Sequence, residues 1–113
     1  MNMMVRIYHN PRCSKSRQTL ALIEEQGITP DVIQYLDTPP TPQELNEILG
    51  RLGMAPEDIL RKKEAKEEGI ADLRGDALIE ALCAHPRAIE RPIVVNGHKA
   101  AIGRPPESVL KIL

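Results

Sequence analysis

Val5-Arg6-Ile7-Tyr8-His9-Asn10-Pro11-Arg12-Cys13-Ser14-Lys15-Ser16-Arg17 is the stretch that decides the fold. Its first four residues are β-prone, and His9-Asn10-Pro11 stops them. Over residues 14–26 the apolar Leu20, Leu22 and Ile23 recur at helical spacing, and Gly27 suits the position just past a helix end. A strand therefore hands over to a helix through a short turn that carries a cysteine. Residues 31–35 read as a second strand, so the chain opens as β-α-β.

Working outward, Asp37-Thr38-Pro39-Pro40 is a turn, and a helix follows to Leu52. Thr41 caps it, Pro42 takes its first position and Glu44 completes a capping box. The middle, residues 56–86, reads as helical and charged. Residues 58–68 carry Arg61-Lys62-Lys63, and residues 76–84 set Leu78, Ile79, Leu82 and Cys83 on one face. Pro92-Ile93-Val94-Val95 and Lys99-Ala100-Ala101-Ile102 flank Asn96-Gly97-His98, and Asn-Gly between apolar runs signals a hairpin. Pro105 opens a last short helix to Leu113. The order β-α-β, helical block, β-β-α predicts an α/β fold: a four-stranded mixed sheet with helices on both faces, in the thioredoxin-like arrangement. A chain of 113 residues is expected to make one domain, here with a helical insertion at roughly residues 41–86.

Composition narrows the function. There is no Phe or Trp, so the core must be aliphatic, and Tyr8 and Tyr35 alone make no stacking platform for single-stranded nucleic acid. Fifteen Lys and Arg against sixteen Asp and Glu give a net charge of −1, which argues against a nucleic-acid or membrane-surface binder. No apolar run approaches a membrane span, and residues 1–5 are too short for a signal h-region. Cys13 and Cys83 make no disulfide framework, so a cytoplasmic protein with free thiols is expected.

Cys13 is the candidate nucleophile. At a helix start, free backbone N–H groups and the positive end of the helix dipole favour a thiolate, and Arg12, Lys15 and Arg17 add positive charge. The same N–H groups make an anion site. Cys13-Ser14-Lys15-Ser16 is C-x-x-S, so no local cysteine can resolve an intermediate and an external thiol must. A cysteine phosphatase loop requires C-x5-R, and Thr19 stands where that arginine would be. Cys83, on an apolar face, is expected to be core packing. His9, His85 and His98 lack metal-ligand spacing, so no metal site is expected.

His9-Asn10-Pro11-x-Cys13-x-x-Ser16-Arg17 resembles the active-site signature of the glutathione- and glutaredoxin-coupled arsenate reductases. Tyr35-Leu36-x-x-Pro39-Pro40, Leu60-Arg61-Lys62, His85-Pro86, Arg91-Pro92-Ile93-Val94-Val95 and Arg104-Pro105 fall in order where that family has similar segments. The resemblance implies a Cys13 thiol–arsenate adduct, resolved by glutathione and then glutaredoxin, with arsenite released. It implies no bound cofactor, with glutathione as co-substrate; a monomer is expected. Arg61, Arg91 and Arg104 match its oxyanion-binding arginines, and guanidinium forks suit such an anion. His9, with Ser16 and Arg17, matches the support that tunes the cysteine, and Pro92 matches the cis-proline of thioredoxin-like folds. Two other functions compete. One is thiol–disulfide exchange on glutathione mixed disulfides, which has no need of three arginines. The other is a regulator docking on a partner such as RNA polymerase, whose branch often uses C-x-x-C pairs that Ser16 denies here.

Overall fold

The structure is a computed structural model that describes residues 5–113, so part of the stretch weighed above as a signal, residues 1–4, lies outside the described residues. The chain forms two compact units. One takes in the chain up to Tyr35 together with Arg91–Leu113; the other is Leu36–Glu90.

The first unit is built on a four-stranded sheet of order β2-β1-β3-β4. Its strands are β1 (Val5–His9), β2 (Asp31–Gln34), β3 (Ile93–Asn96) and β4 (Lys99–Ile102). β1 pairs parallel with β2 and antiparallel with β3, and β3 pairs antiparallel with β4, which is the expected mixed sheet. Ile7 lies opposite Val94, and Val94 opposite Ala101, so one face carries an apolar row across three strands. Helix α1 (Ser14–Glu25) and a C-terminal 3₁₀ helix (Pro106–Ile112) pack on each other beside that row. Val5, Ile7, Ile23, Val94, Ala101, Val109 and Ile112 form the resulting core. No aromatic residue is in it.

Two details differ from expectation. The buried stripe of α1 runs through Ser16, Thr19 and Ile23, while Leu20 and Leu22 are only half-buried. Two polar residues face inward, and each has a hydrogen-bond partner that makes this tolerable. In the hairpin, Asn96 pairs with Lys99, so the two-residue loop is Gly97-His98, with Gly97 at φ 62°. The turn glycine is the expected one; the asparagine is the last strand residue, and its side-chain amide donates to the Ile112 carbonyl at 2.7 Å.

The second unit contains helices α2 (Pro42–Leu52), α3 (Lys62–Glu67) and α4 (Gly75–Ala84), with short 3₁₀ segments at Pro56–Ile59 and Pro86–Ala88. The capping box on α2 is present as expected: Glu44 N–H donates to Thr41 Oγ1, and Thr41 N–H to Glu44 Oε1. The expected single helix over residues 58–68 is broken at Leu60. That residue is extended and bridges Ile89, while Arg61 N–H donates to the Ala88 carbonyl and Glu90 N–H to that of Ile59. These pairings take the backbone groups a continuous helix would use. α4 buries Leu78, Ile79 and Leu82 and leaves Cys83 half-buried.

Ile23 is fully buried where α1 meets the sheet. Ile23→Ala should lower stability by about 2–5 kcal/mol, as a lost core side chain and its cavity do. Urea unfolding measures it, and a loss under ~1 kcal/mol would mean that α1 is not held by this core.

Candidate active site

Cys13 is the N-cap of α1 and is 8 % exposed. Its position is set by the turn before it: Cys13 N–H donates to the Asn10 carbonyl (3.0 Å), and Asn10 Oδ1 accepts from Arg12 N–H (3.0 Å). Arg17 Nη1 donates to the Pro11 carbonyl (2.9 Å). Arg17 therefore clasps the turn.

His9, at the end of β1, and Ser16, in the first turn of α1, are both buried and share a 2.6 Å hydrogen bond between Nδ1 and Oγ. Ser16 Oγ also accepts from Asn10 N–H at 3.0 Å. Burial first, and the Arg17 guanidinium second, hold His9 below the ordinary imidazole range, so the ring is neutral at pH 7. A neutral ring can accept a hydrogen bond from the Ser16 hydroxyl at Nδ1 while Oγ accepts from Asn10 N–H, which satisfies all three groups.

The sulfur of Cys13 is pulled two ways. Burial pushes its pKa up; the backbone N–H of Ser16, the Arg91 guanidinium, the backbone N–H of Lys15 and the Arg104 guanidinium pull it down, and the pull wins. No acidic residue stands in the first turn of α1 to compete for the helix dipole. Arg104 Nη2 approaches Sγ at 3.6 Å, while Arg104 Nε donates to the Arg91 carbonyl at 2.8 Å. Arg91 lies just before β3 and Arg104 lies two residues beyond β4, so the hairpin delivers both arginines to one end. The Arg91–Pro92 and Arg104–Pro105 peptide bonds are both cis. The first was expected and the second was not, although the repeated Arg-Pro was there to be seen.

Arg61, the third expected oxyanion ligand, belongs to the other unit. It is the N-cap of α3, pairs with Glu64 at 2.8 Å and donates to the Arg87 carbonyl at 3.3 Å. Arg87 in turn bridges Glu67 and Glu68, and Glu68 also meets His85 Nδ1 at 2.8 Å. Cys83 lies in the last turn of α4, where burial first, then Glu44 and Glu80, pushes its pKa up to about 11. It is half-buried and stays a neutral thiol. Among the described residues no group of three or more His, Cys, Asp or Glu is arranged to hold a metal ion, and no helix is long and apolar enough to cross a membrane.

Sequence reasoning expected free backbone N–H groups at the helix start to favour the thiolate, and the structure identifies them as those of Ser16 and Lys15. That reasoning passed over Thr19, whose hydroxyl donates to the Lys15 carbonyl at 2.8 Å.

Two measurements follow from this geometry. The rate of thiol alkylation against pH should show Cys13 ionising below the ordinary thiol range and Cys83 unreactive near neutrality; Arg104→Ala should move the Cys13 midpoint upward, and an unmoved midpoint would contradict the role of that guanidinium. Stability should also depend on His9. Its folded-state pKa is lowered, so below its ordinary value of 6.5 the unfolded chain takes up a proton that the folded chain does not. The urea midpoint should hold above that pH and fall below it, and His9→Gln should flatten the fall; equal slopes would show that His9 is not the group responsible.

Comparison with known proteins identifies the family of the chain. Residues 8–112 match the ArsC family. A protein named arsenate reductase from Neisseria meningitidis serogroup A is 47 % identical, covering 96 % of this chain and 97 % of its own length. The Escherichia coli K12 protein YfgD, described as uncharacterized, is 50 % identical over 100 % of this chain and 99 % of its own. The solved structure of an arsenate reductase from Vibrio cholerae is 50 % identical, covers 100 % of both chains and superposes with a TM-score of 0.91. With likeness of sequence and of backbone over the full length of the strand–turn–cysteine–helix frame, the chain belongs to the ArsC family.

Proposed function

We propose that this protein reduces arsenate to arsenite, with Cys13 as nucleophile and glutathione and glutaredoxin as the external reductants. The observation that carries the reading is the Arg104 guanidinium at 3.6 Å from the Cys13 sulfur, beside a thiol whose pKa is already lowered. A guanidinium there supports both a thiolate and an incoming oxyanion, and charge that redistributes during attack would meet fixed positive groups. Arg91 contributes from the same end of the sheet; for Arg61 the reading rests on the resemblance alone.

In this scheme the Cys13 thiolate attacks arsenic and one arsenate oxygen leaves as water, giving a sulfur–arsenic(V) bond. Glutathione displaces a second oxygen, so arsenic is held between two sulfurs. A glutaredoxin thiolate then attacks the glutathione sulfur. The bond from that sulfur to arsenic breaks with its electron pair left on arsenic, which becomes arsenic(III), and the two reductants leave joined as a mixed disulfide. Water releases arsenite from Cys13 and restores the thiolate. The absence of a local resolving cysteine at Ser16 fits a pathway in which both electrons come from outside thiols. A cytoplasmic location would supply them in reduced form.

The test is arsenate-dependent NADPH oxidation, coupled through glutathione reductase, glutathione and glutaredoxin. Cys13→Ser should abolish turnover while the fold persists; retention of more than a few per cent of activity would sink the assignment. Arg61→Ala, Arg91→Ala and Arg104→Ala should each lower arsenate turnover by roughly tenfold or more, the scale of one lost charge-assisted contact at ~1.5–3 kcal/mol. Reduction of a small glutathione mixed disulfide should fall much less, and lysine should rescue only in part. Equal losses on both substrates would mean that the arginines serve the fold or the thiolate, and arsenate specificity would lose its main physical support.

A further inference from the structure

The residue before Arg104 is Gly103. It is buried and its φ is not positive, so the chain does not require glycine there for conformational freedom. The requirement is space. A Cβ on Gly103 would overlap Thr19 Oγ1 and would stand 2.9 Å from Pro92 Cγ and 3.0 Å from Thr19 Cγ2, inside the ~3.5–4.0 Å at which carbon atoms meet favourably. At the other glycines a Cβ would meet nothing within 4 Å.

What Gly103 touches makes this more than a packing detail. Thr19 is fully buried in α1 and its hydroxyl is bound to the Lys15 carbonyl. Lys15 and Ser16 are the residues whose N–H groups stabilise the Cys13 thiolate. Across from them, Gly103 N–H donates to the Pro92 carbonyl at 2.9 Å, and the next residue, Arg104, spans the Arg91 carbonyl and the Cys13 sulfur. Gly103 is thus the point where the helix turn that holds the thiolate rests against the strand ends that hold the arginines.

We propose that Gly103 is a positioning residue: its missing side chain, seated against Thr19, sets the distance between the thiolate turn and the Arg91–Arg104 pair. Any side chain there would push the two halves apart. The arginines would then lose their reach while the fold remained. The inference rests on the arsenate reading for its substrate assay only, since the ionisation of Cys13 reports the same distance without a substrate.

The experiment compares Gly103→Ala, Thr19→Ala, the double variant, and Ile112→Val as a control that loosens the same core away from the site. Gly103→Ala should raise the midpoint of Cys13 alkylation against pH. It should also lower arsenate kcat/KM by about ten- to a hundredfold, chiefly through KM, as misplacement by ~1 Å does. Ile112→Val should leave both at wild-type values despite its lower melting temperature. Thr19→Ala removes both Thr19 atoms that the new Cβ meets and leaves only the Pro92 Cγ contact, so in that background the glycine change should cost only a few-fold. The same penalty in both backgrounds, or a wild-type alkylation midpoint in Gly103→Ala, overturns the proposal. If Gly103→Ala does not fold, the double variant decides: it must fold with a midpoint close to that of Thr19→Ala, and its failure to fold also overturns the proposal. If the wild-type protein does not turn over arsenate, the functional reading fails while the alkylation arm still decides the role of Gly103.

Discussion

The site depends on keeping a thiolate stable in a place where burial works against it. The thiol of a residue that is only 8 % exposed would by desolvation alone stay protonated and inert. Four groups pull the other way: two backbone N–H donors from the first turn of α1 and two guanidinium groups from the open end of the β3–β4 hairpin. The donors come with the helix and cost no further ordering, because those N–H groups have no partner within a helix. The turn that aims them is tied by Asn10, by the Ser16–His9 pair and by Arg17 on the Pro11 carbonyl. None of these three ties engages the sulfur itself.

The arginine half obeys a different constraint. Ile93 pairs with Ile102 at the end of the hairpin, so the residues just beyond, Arg91 and Arg104, leave the sheet at the same end. Strand side chains alternate faces, and a one-residue slip of the register would exchange the core and opposite faces of β4. The same slip would carry Arg104 away from the sulfur. The register is held by the two-residue loop Gly97-His98 at the opposite end and by Val94 and Ala101 in the core. A distant turn and two small apolar side chains thus fix where the Arg104 charge arrives.

That division explains what could be read in advance. The strand, the turn, Cys13 and α1 are local features, written within a few residues of one another, and the structure has them where expected. The capping box of α2 is equally local. Most of the failures depend on partners elsewhere in the chain; the hairpin loop, shorter by Asn96 than expected, is a local one. Leu60 leaves the helical pattern because strand-like bonds to residues 88–90 compete for its neighbours. Ser16 and Thr19 look like surface residues in a periodic pattern, yet they face inward because His9 and the Lys15 carbonyl receive them. Arg91 and Arg104 could be matched to a family's segments, but no spacing rule points to them, because the sulfur they approach is some eighty to ninety positions away along the chain. Gly103 gives no local sign of its importance, since the atoms that exclude a side chain belong to Thr19 and Pro92.

The two cysteines make the same point about environment. Cys13 begins a helix, where the dipole is positive and guanidinium groups converge. Cys83 lies in the last turn of α4, near Glu44 and Glu80, and its pKa is pushed up to about 11. The helix dipole there is negative as well. Two identical side chains on one chain are thus driven in opposite directions, and nucleophilic character is confined to one of them. A second reactive thiol would be open to alkylation, mixed-disulfide formation and oxidation at every encounter with the outside thiols that the proposed cycle needs. Ser16 in place of a second cysteine removes the other route to a dead end, an internal disulfide at the helix start. In the proposed cycle, the chemistry would be channelled toward external thiols both by what Cys13 is given and by what Cys83 and Ser16 withhold.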